Sequence, residues 1–300
     1  MERIIGKYGP PQSDLLIFCL AGMHGNEPAG VRALEEVFAH LYQQRPPVKG
    51  RFIGLRGNIP ALSTQKRYLH EDFNRIWTEG NIRIAREGHA HSPEMKELKA
   101  VFEEMDAFME HPYSQRIFLD LHTTSGENGT FIVAVDYPHS RNLLDKFPVP
   151  LILGLEEKLE GTAITYFRRQ GFISFAFEGG LHQDPQSTPV LAWGIWNVLQ
   201  ESGFLSPVYM PDLSETRLHL RNKFASLPQL LSLDYLHRVR PGDGFVMRPG
   251  FKNFDKIHEG QHLADDRQGA VLAPSAGYLL MPLYQKEGDD GFFLVSPPKM

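Results

Sequence analysis

A single cysteine, Cys19, occurs in 300 residues. One thiol excludes an internal disulfide and a thiolate zinc cluster, so any bound metal must rely on imidazole and carboxylate. Cys19 sits in the apolar run Leu15-Leu16-Ile17-Phe18-Cys19-Leu20-Ala21 and reads as a buried strand residue behaving as a small hydrophobe. That run stops at Gly22 and is too short to span a bilayer, so no membrane partner is expected. Excess positive charge is missing too: 31 Lys and Arg face 36 Asp and Glu, a formal charge of -5, which removes bulk attraction for nucleic acid or an anionic membrane surface. Met1 to Lys7 lack the basic start and apolar core of a secretory leader, and a cytoplasmic protein is expected. Fixed-period repeats, low-complexity tracts and long charge blocks are likewise lacking, which sets aside solenoids, propellers and charged tails.

The remaining composition, 42% hydrophobic and 22% charged, is that of a folding globular chain. Leu15 to Ala21 and Arg51 to Leu55 read as strands, with a helix between them carrying Val31, Leu34, Val37, Phe38 and Leu41 on one side. Arg56 to Asn81 is polar and reads as loop and short turns. A helix from Ser92 follows, then apolar strands at Ile117 to Leu121, Phe131 to Val135 and Phe172 to Phe177. Leu143 to Phe147 and Leu151 to Leu159 read as short helices, and Pro189 to Leu199 as a longer one. This alternation predicts an α/β fold, a mostly parallel sheet between helices. After Pro207 the pattern changes to short apolar pieces broken by Pro and Gly, which predicts two domains, 1–207 and a smaller β-rich 208–300.

Chemistry gathers at the strand ends, where parallel sheets bind ligands. Gly22-Met23-His24-Gly25-Asn26-Glu27 follows the first strand, and its HxxE spacing lets an imidazole and a carboxylate share one cation. With 13 His and 21 Glu in the chain, about one such spacing arises by chance. A capping carboxylate beside an unrelated histidine would give the same pattern. The second instance, His91 to Glu94, straddles a helix start with no strand before it, so Glu94 reads as a carboxylate at a positive helix end. His122 ends another buried strand in Asp120-Leu121-His122-Thr123-Thr124 and supplies a third ligand. Two imidazoles and one carboxylate are the ligand set of hydrolytic zinc sites that leave a fourth position for water.

These residues resemble the succinylglutamate desuccinylase and aspartoacylase family, related to zinc carboxypeptidases. The resemblance rests on four blocks in family order: Gly22 to Glu27, Arg67-Tyr68-Leu69-His70-Glu71-Asp72-Phe73-Asn74-Arg75, Asp120 to Thr124, and Phe177-Glu178-Gly179-Gly180. It covers about Gly22 to Gly180 and implies a zinc-carboxypeptidase-like central mixed, mostly parallel sheet flanked by helices. It also implies one zinc ion on His24, Glu27 and His122, with Glu178 as general base. Arg67 would polarise the scissile carbonyl and stabilise the oxyanion, while Asn74 and Arg75 would grip a substrate carboxylate. Asp72 is expected to accept a hydrogen bond from His24 and fix its tautomer. Arg168, ten residues before Glu178, matches the family arginine for a second substrate carboxylate, with Arg169 and Tyr166 beside it as alternatives. The chain departs from the family at Asp289-Asp290-Gly291-Phe292-Phe293, where aspartoacylases carry a paired tyrosine; Tyr284 lies upstream.

The resemblance implies a zinc-dependent hydrolase that cleaves the amide of an N-acyl amino acid or similar small carboxylate. A carboxypeptidase acting on peptides and a catalytically silent module binding anionic metabolites are the rival expectations.

Overall fold

The structure, a computed structural model, describes residues 1–298. The chain opens with β1 (Ile4–Tyr8), β2 (Leu15–Ala21), α1 (Ala29–Gln44), β3 (Arg51–Arg56), α2 (Ile59–Thr64), α3 (Glu79–Arg86) and α4 (Pro93–Met109). There follow β4 (Gln115–Thr124), β5 (Thr130–Ala134), α5 (Tyr137–Leu144), β6 (Leu151–Leu153), α6 (Ala163–Arg169), β7 (Ile173–Leu181), α7 (Ser187–Glu201) and α8 (Ser214–Lys223). The last part is strand-rich: β8 (Leu230–Arg238), β9 (Val246–Met247), β10 (Lys256–Ile257), β11 (His262–Asp266), β12 (Gly269–Leu272), β13 (Gly277–Leu280) and β14 (Asp290–Ser296).

Among the described residues, one eleven-stranded sheet runs in the order β1-β3-β2-β4-β7-β5-β6-β8-β14-β13-β10. Its centre, β3, β2, β4 and β7, is parallel. Every residue of β2 is buried because helices cover both faces of the sheet. Phe18 and Phe118 face the side of α6, where Phe167 stacks on Phe118 at 3.8 Å between ring centroids. Phe177 faces the opposite side, against Trp193 of α7. Since side chains alternate along a strand, Asp120 and His122 of β4 share the Phe118 face, as do their register partners Ala176 and Glu178 of β7. The α/β expectation is met; after Pro207, β8, β14, β13 and β10 extend the same sheet through the β6–β8 pairing, while β9, β11 and β12 form a separate three-stranded antiparallel sheet among the described residues. The division at residue 207 falls in a 3-10 turn, Pro207–Tyr209, and we keep the two-domain description as a proposal.

Four local expectations need correction, the first being the helix placed at Leu143 to Phe147, which runs instead over Tyr137–Leu144 and gives way to a turn at 145–147. Leu151 to Leu153 is a strand, not part of a helix: Leu151 and Ile152 are fully buried between β5 and β8, and sheet pairing overrides their local pattern. Only Leu155–Glu157 turns, as 3-10 helix. Within the polar segment 56–81, α2 forms with Asn58 accepting from the Ala61 N–H, and α3 starts where Thr78 caps Asn81. Beyond residue 207 the chain also contains α8, which buries Leu220 alone among its residues. Cys19 is fully buried in β2, as expected.

Candidate functional site

Gly22 ends β2 with a φ of 71°, a conformation glycine adopts without steric cost, and turns the chain so that His24 and Glu27 precede α1 at the carboxyl edge. The turn is wedged tightly. A Cβ on Gly25 would lie 2.0 Å from the Ala61 carbonyl carbon, and the Gly25 N–H donates to the Arg67 carbonyl at 3.1 Å. His122 arrives from β4, whose pairing with β2 on one side and β7 on the other sets it beside Glu178.

Donor atoms of His24, Glu27 and His122 lie within 4.8 Å of one another, and all three side chains are buried. Glu27 stands between the rings. His24 Nδ1 lies 2.8 Å from its Oε1, and His122 Nδ1 3.0 Å from its Oε2, which also accepts the Thr123 N–H at 3.0 Å. Burial alone would raise the pKa of Glu27, but the two imidazoles hold it well below the ordinary carboxylate range. Each far ring nitrogen faces a second carboxylate. His24 Nε2 is 3.0 Å from Asp72 Oδ1, as the sequence led us to expect. His122 Nε2 is 2.9 Å from Asp120 Oδ2. Two imidazole nitrogens and one carboxylate oxygen, converging from a buried edge with carboxylates behind the rings, fit a divalent ion of the zinc type.

Arg67 bridges the two carboxylates, donating to Asp72 Oδ2 at 3.0 Å and Glu27 Oε1 at 3.5 Å. Asp72 also accepts the Asn74 N–H at 2.8 Å; burial works against its charge, but His24 and Arg67 keep it ionised well below the usual range. Asn74 Oδ1 takes the Ala163 N–H, which leaves its amide nitrogen 3.4 Å from His122 Nε2. Arg75 donates to Asp290 Oδ2 at 2.7 Å, and Arg238 holds the other oxygen of that carboxylate. Glu178 differs from all of these. Its side chain is buried, one oxygen has no partner, and burial together with the Glu27 and Asp120 charges pushes its pKa well above the carboxylate range.

One pocket, enclosing about 130 Å³, is lined by His24, Glu27, Arg67, Asp72, Asn74, Arg75, His122 and Glu178 together. Arg168 is not brought in. It lies 46% exposed on α6, paired with Asp136 at 2.6 Å. Tyr284 is also elsewhere, its hydroxyl donating to the Arg248 carbonyl at 2.8 Å.

Several lining or supporting residues escaped the sequence. Gln285 reaches back across the edge, its Oε1 accepting from Asn26 Nδ2 at 2.9 Å and lying 3.3 Å from His182 Nε2. His182 Nδ1 in turn is 2.8 Å from the Thr123 hydroxyl. Asn253 clamps the loop after β4 to the last strands, donating to the Gly126 and Glu127 carbonyls while accepting the Met281 N–H. Glu94 is the clearest case. Fully buried, it accepts the Leu69 N–H at 2.7 Å, the His70 N–H at 3.3 Å and Asn58 Nδ2 at 3.2 Å, so it anchors the loop that carries Arg67 to Arg75. Its HxxE spacing was the weaker of the two and concealed this. Because Glu94→Ala would strand two backbone donors and an amide, we expect it to cost about 1–3 kcal/mol of stability, read from urea unfolding; an unchanged midpoint would deny Glu94 this anchoring.

Fold and site together define an α/β protein whose sheet edge presents a His-Glu-His cluster to a pocket. A family model described as "Succinylglutamate desuccinylase/Aspartoacylase catalytic domain" matches residues 11–185. The chain belongs to that family. A succinylglutamate desuccinylase of Yersinia enterocolitica is 32% identical over 103 residues, 34% of this chain and 30% of that protein. One from Photorhabdus laumondii is 40% identical over 57 residues, 19% of this chain and 18% of the relative. The aligned stretches thus span less than a third of these curated relatives. Solved structures match over nearly the whole chain: succinylglutamate desuccinylase of Vibrio parahaemolyticus at a TM-score of 0.66 and 15% identity, covering 97% of this chain and 84% of that one. Murine aminoacylase 3 matches at 0.60 and 17%, covering 95% and 96%. These likenesses concern the fold. No helix among the described residues is long and apolar enough to cross a membrane.

Proposed function

We propose that the protein is a zinc-dependent hydrolase that removes the acyl group from an N-acyl amino acid. The observation that carries this reading is the buried His24-Glu27-His122 cluster sharing one pocket with a carboxylate, Glu178, that has an unpartnered oxygen. A zinc ion held by those three residues would polarise the scissile carbonyl and lower the pKa of water. Glu178, with its raised affinity for a proton, takes one from the attacking water and delivers it to the departing amine nitrogen. Arg67 directs its guanidinium at the oxyanion that forms, pre-oriented by Asp72 and Glu27 so that little reorganisation is needed. Asn74 and Arg75 hold the substrate carboxylate at the pocket mouth. Residues Met281, Leu283, Gln285 and Gly288 also line the pocket, and this closure favours a short acyl amino acid over a peptide chain.

The test is an assay of amino-acid release from N-acetyl amino acids by protein stripped with a chelator, before and after zinc is restored. Release only after zinc is expected. Preferential trimming of peptides would replace this reading with a carboxypeptidase, and metabolite binding without hydrolysis in saturating zinc would replace it with a silent binding module.

A further inference from the structure

We infer that the substrate carries a single carboxylate and that the rest of it is apolar, an inference that rests on the deacylase reading. Charge in the pocket is the first ground. Among the described lining residues the guanidinium groups are those of Arg67 and Arg75, facing the carboxylates of Glu27, Asp72, Glu178, Asp289 and Asp290. Neither arginine is unclaimed: Arg67 is held by Glu27 and Asp72, and Arg75 by Asp290. Arg75 gives one N–H to Asp290 and another to the Asn74 carbonyl, and the guanidinium N–H groups that remain serve one substrate carboxylate. A second carboxylate would enter beside Asp289 and Asp290, where the nearby cations are already paired: Arg75 and Arg238 both bind Asp290, and Arg168 is spent on Asp136 outside the pocket. Burying an unpaired charge beside like charges is strongly unfavourable.

The pocket floor is the second ground. Ala176 and Val133 are register partners on β7 and β5, and Ala176 lies two residues before Glu178 on the same face. Leu155, Ile164 and Phe293 close in around them, and all five are buried. A methyl or methylene group placed there leaves water at about 0.8 kcal/mol per CH₂, whereas a charged group loses its hydration with nothing to replace it. Asp290 therefore acts as a specificity-determining residue: it pairs with both Arg75 and Arg238, so that neither offers a free fork to a second carboxylate.

Zinc-loaded protein should be compared on two matched pairs, N-acetyl-leucine against N-acetylaspartate and N-butanoyl-leucine against N-succinyl-leucine. The apolar member of each pair is expected to have the higher kcat/KM by at least about 100-fold, equivalent to roughly 2.7 kcal/mol. Asp290→Asn, which keeps an acceptor for Arg75 and Arg238 but removes the charge, should narrow both ratios by about tenfold or more. Inhibition by the free products should follow the same order, leucine and butanoate above aspartate and succinate. Equal or greater kcat/KM for the dicarboxylate members overturns this inference and leaves the deacylase reading standing. Silence with all four substrates overturns the deacylase reading, and this inference with it.

Discussion

Glu178→Gln is expected to lower kcat by about 10²- to 10⁴-fold while the protein keeps its fold and its bound ion. Glutamine matches glutamate in shape, so the packing of β7 against β4 and β5 survives. What disappears is the ability to take and return a proton. The carboxylates beside the His24 and His122 rings, other than Asp120, are committed to donors: Glu27 to two imidazoles, Arg67 and a backbone amide, Asp72 to His24, Arg67 and Asn74. Asp120 is fully buried beneath His122 and does not line the pocket, so it cannot deputise. Steady-state kinetics with elemental analysis of the same preparation makes the measurement. A kcat within a factor of three of the parent would remove Glu178 from the reaction.

The second large effect should come from Glu27→Gln. We expect loss of the tightly held ion by elemental analysis and a fall in turnover to the level of a protein-free blank. Glu27 is the hub of the cluster, and its two oxygens together receive both rings, Arg67 and the Thr123 N–H. An amide keeps one acceptor and turns a donor toward groups that are themselves donors. Breaking such a buried charge network costs about 3–5 kcal/mol when a partner is removed, so the variant should also unfold earlier. His122→Asn offers a milder check, because it withdraws one ligand and leaves Glu27 its bonds to His24 and Arg67. Retention of a full equivalent of ion in both variants would mean that these side chains do not hold it. The contrast with Glu178 is the informative part: one substitution should cost chemistry alone, the other chemistry and metal together.

The sheet was legible because burial on both faces writes itself as continuous apolar runs, as in Leu15 to Ala21 and Ile117 to Leu121. His24, Glu27 and His122 could be singled out for the same reason, each lying where such a run gives way to polar residues. Short elements were harder. Leu151 to Leu153 is a strand only because β5 and β8 flank it, a fact no local window contains. Arg168 stands at the family spacing yet turns to Asp136, since an offset along the chain does not fix the direction of a side chain on α6. Gln285 was invisible as a site residue, and Asp290 stood out only as part of the stretch that lacks the family tyrosine. They reach the pocket from the far end of the chain, across 259 positions to Asn26 and 215 to Arg75. Glu94 was read as a helix-end carboxylate, and its grip on Leu69 and His70 depends on a loop crossing that only the folded chain reveals.

The continuous hydrogen-bond ladder from β6 into β8 and on to β14 has a consequence for how ligands come and go. The halves cannot swing apart like the jaws of a clamp without tearing strand from strand. The stretch 281–289 is joined differently, by side-chain contacts such as that of Gln285 with Asn26 rather than by a strand of its own. An exchange of that stretch for another sequence would be a compact way to retune selectivity while leaving the reaction machinery in place.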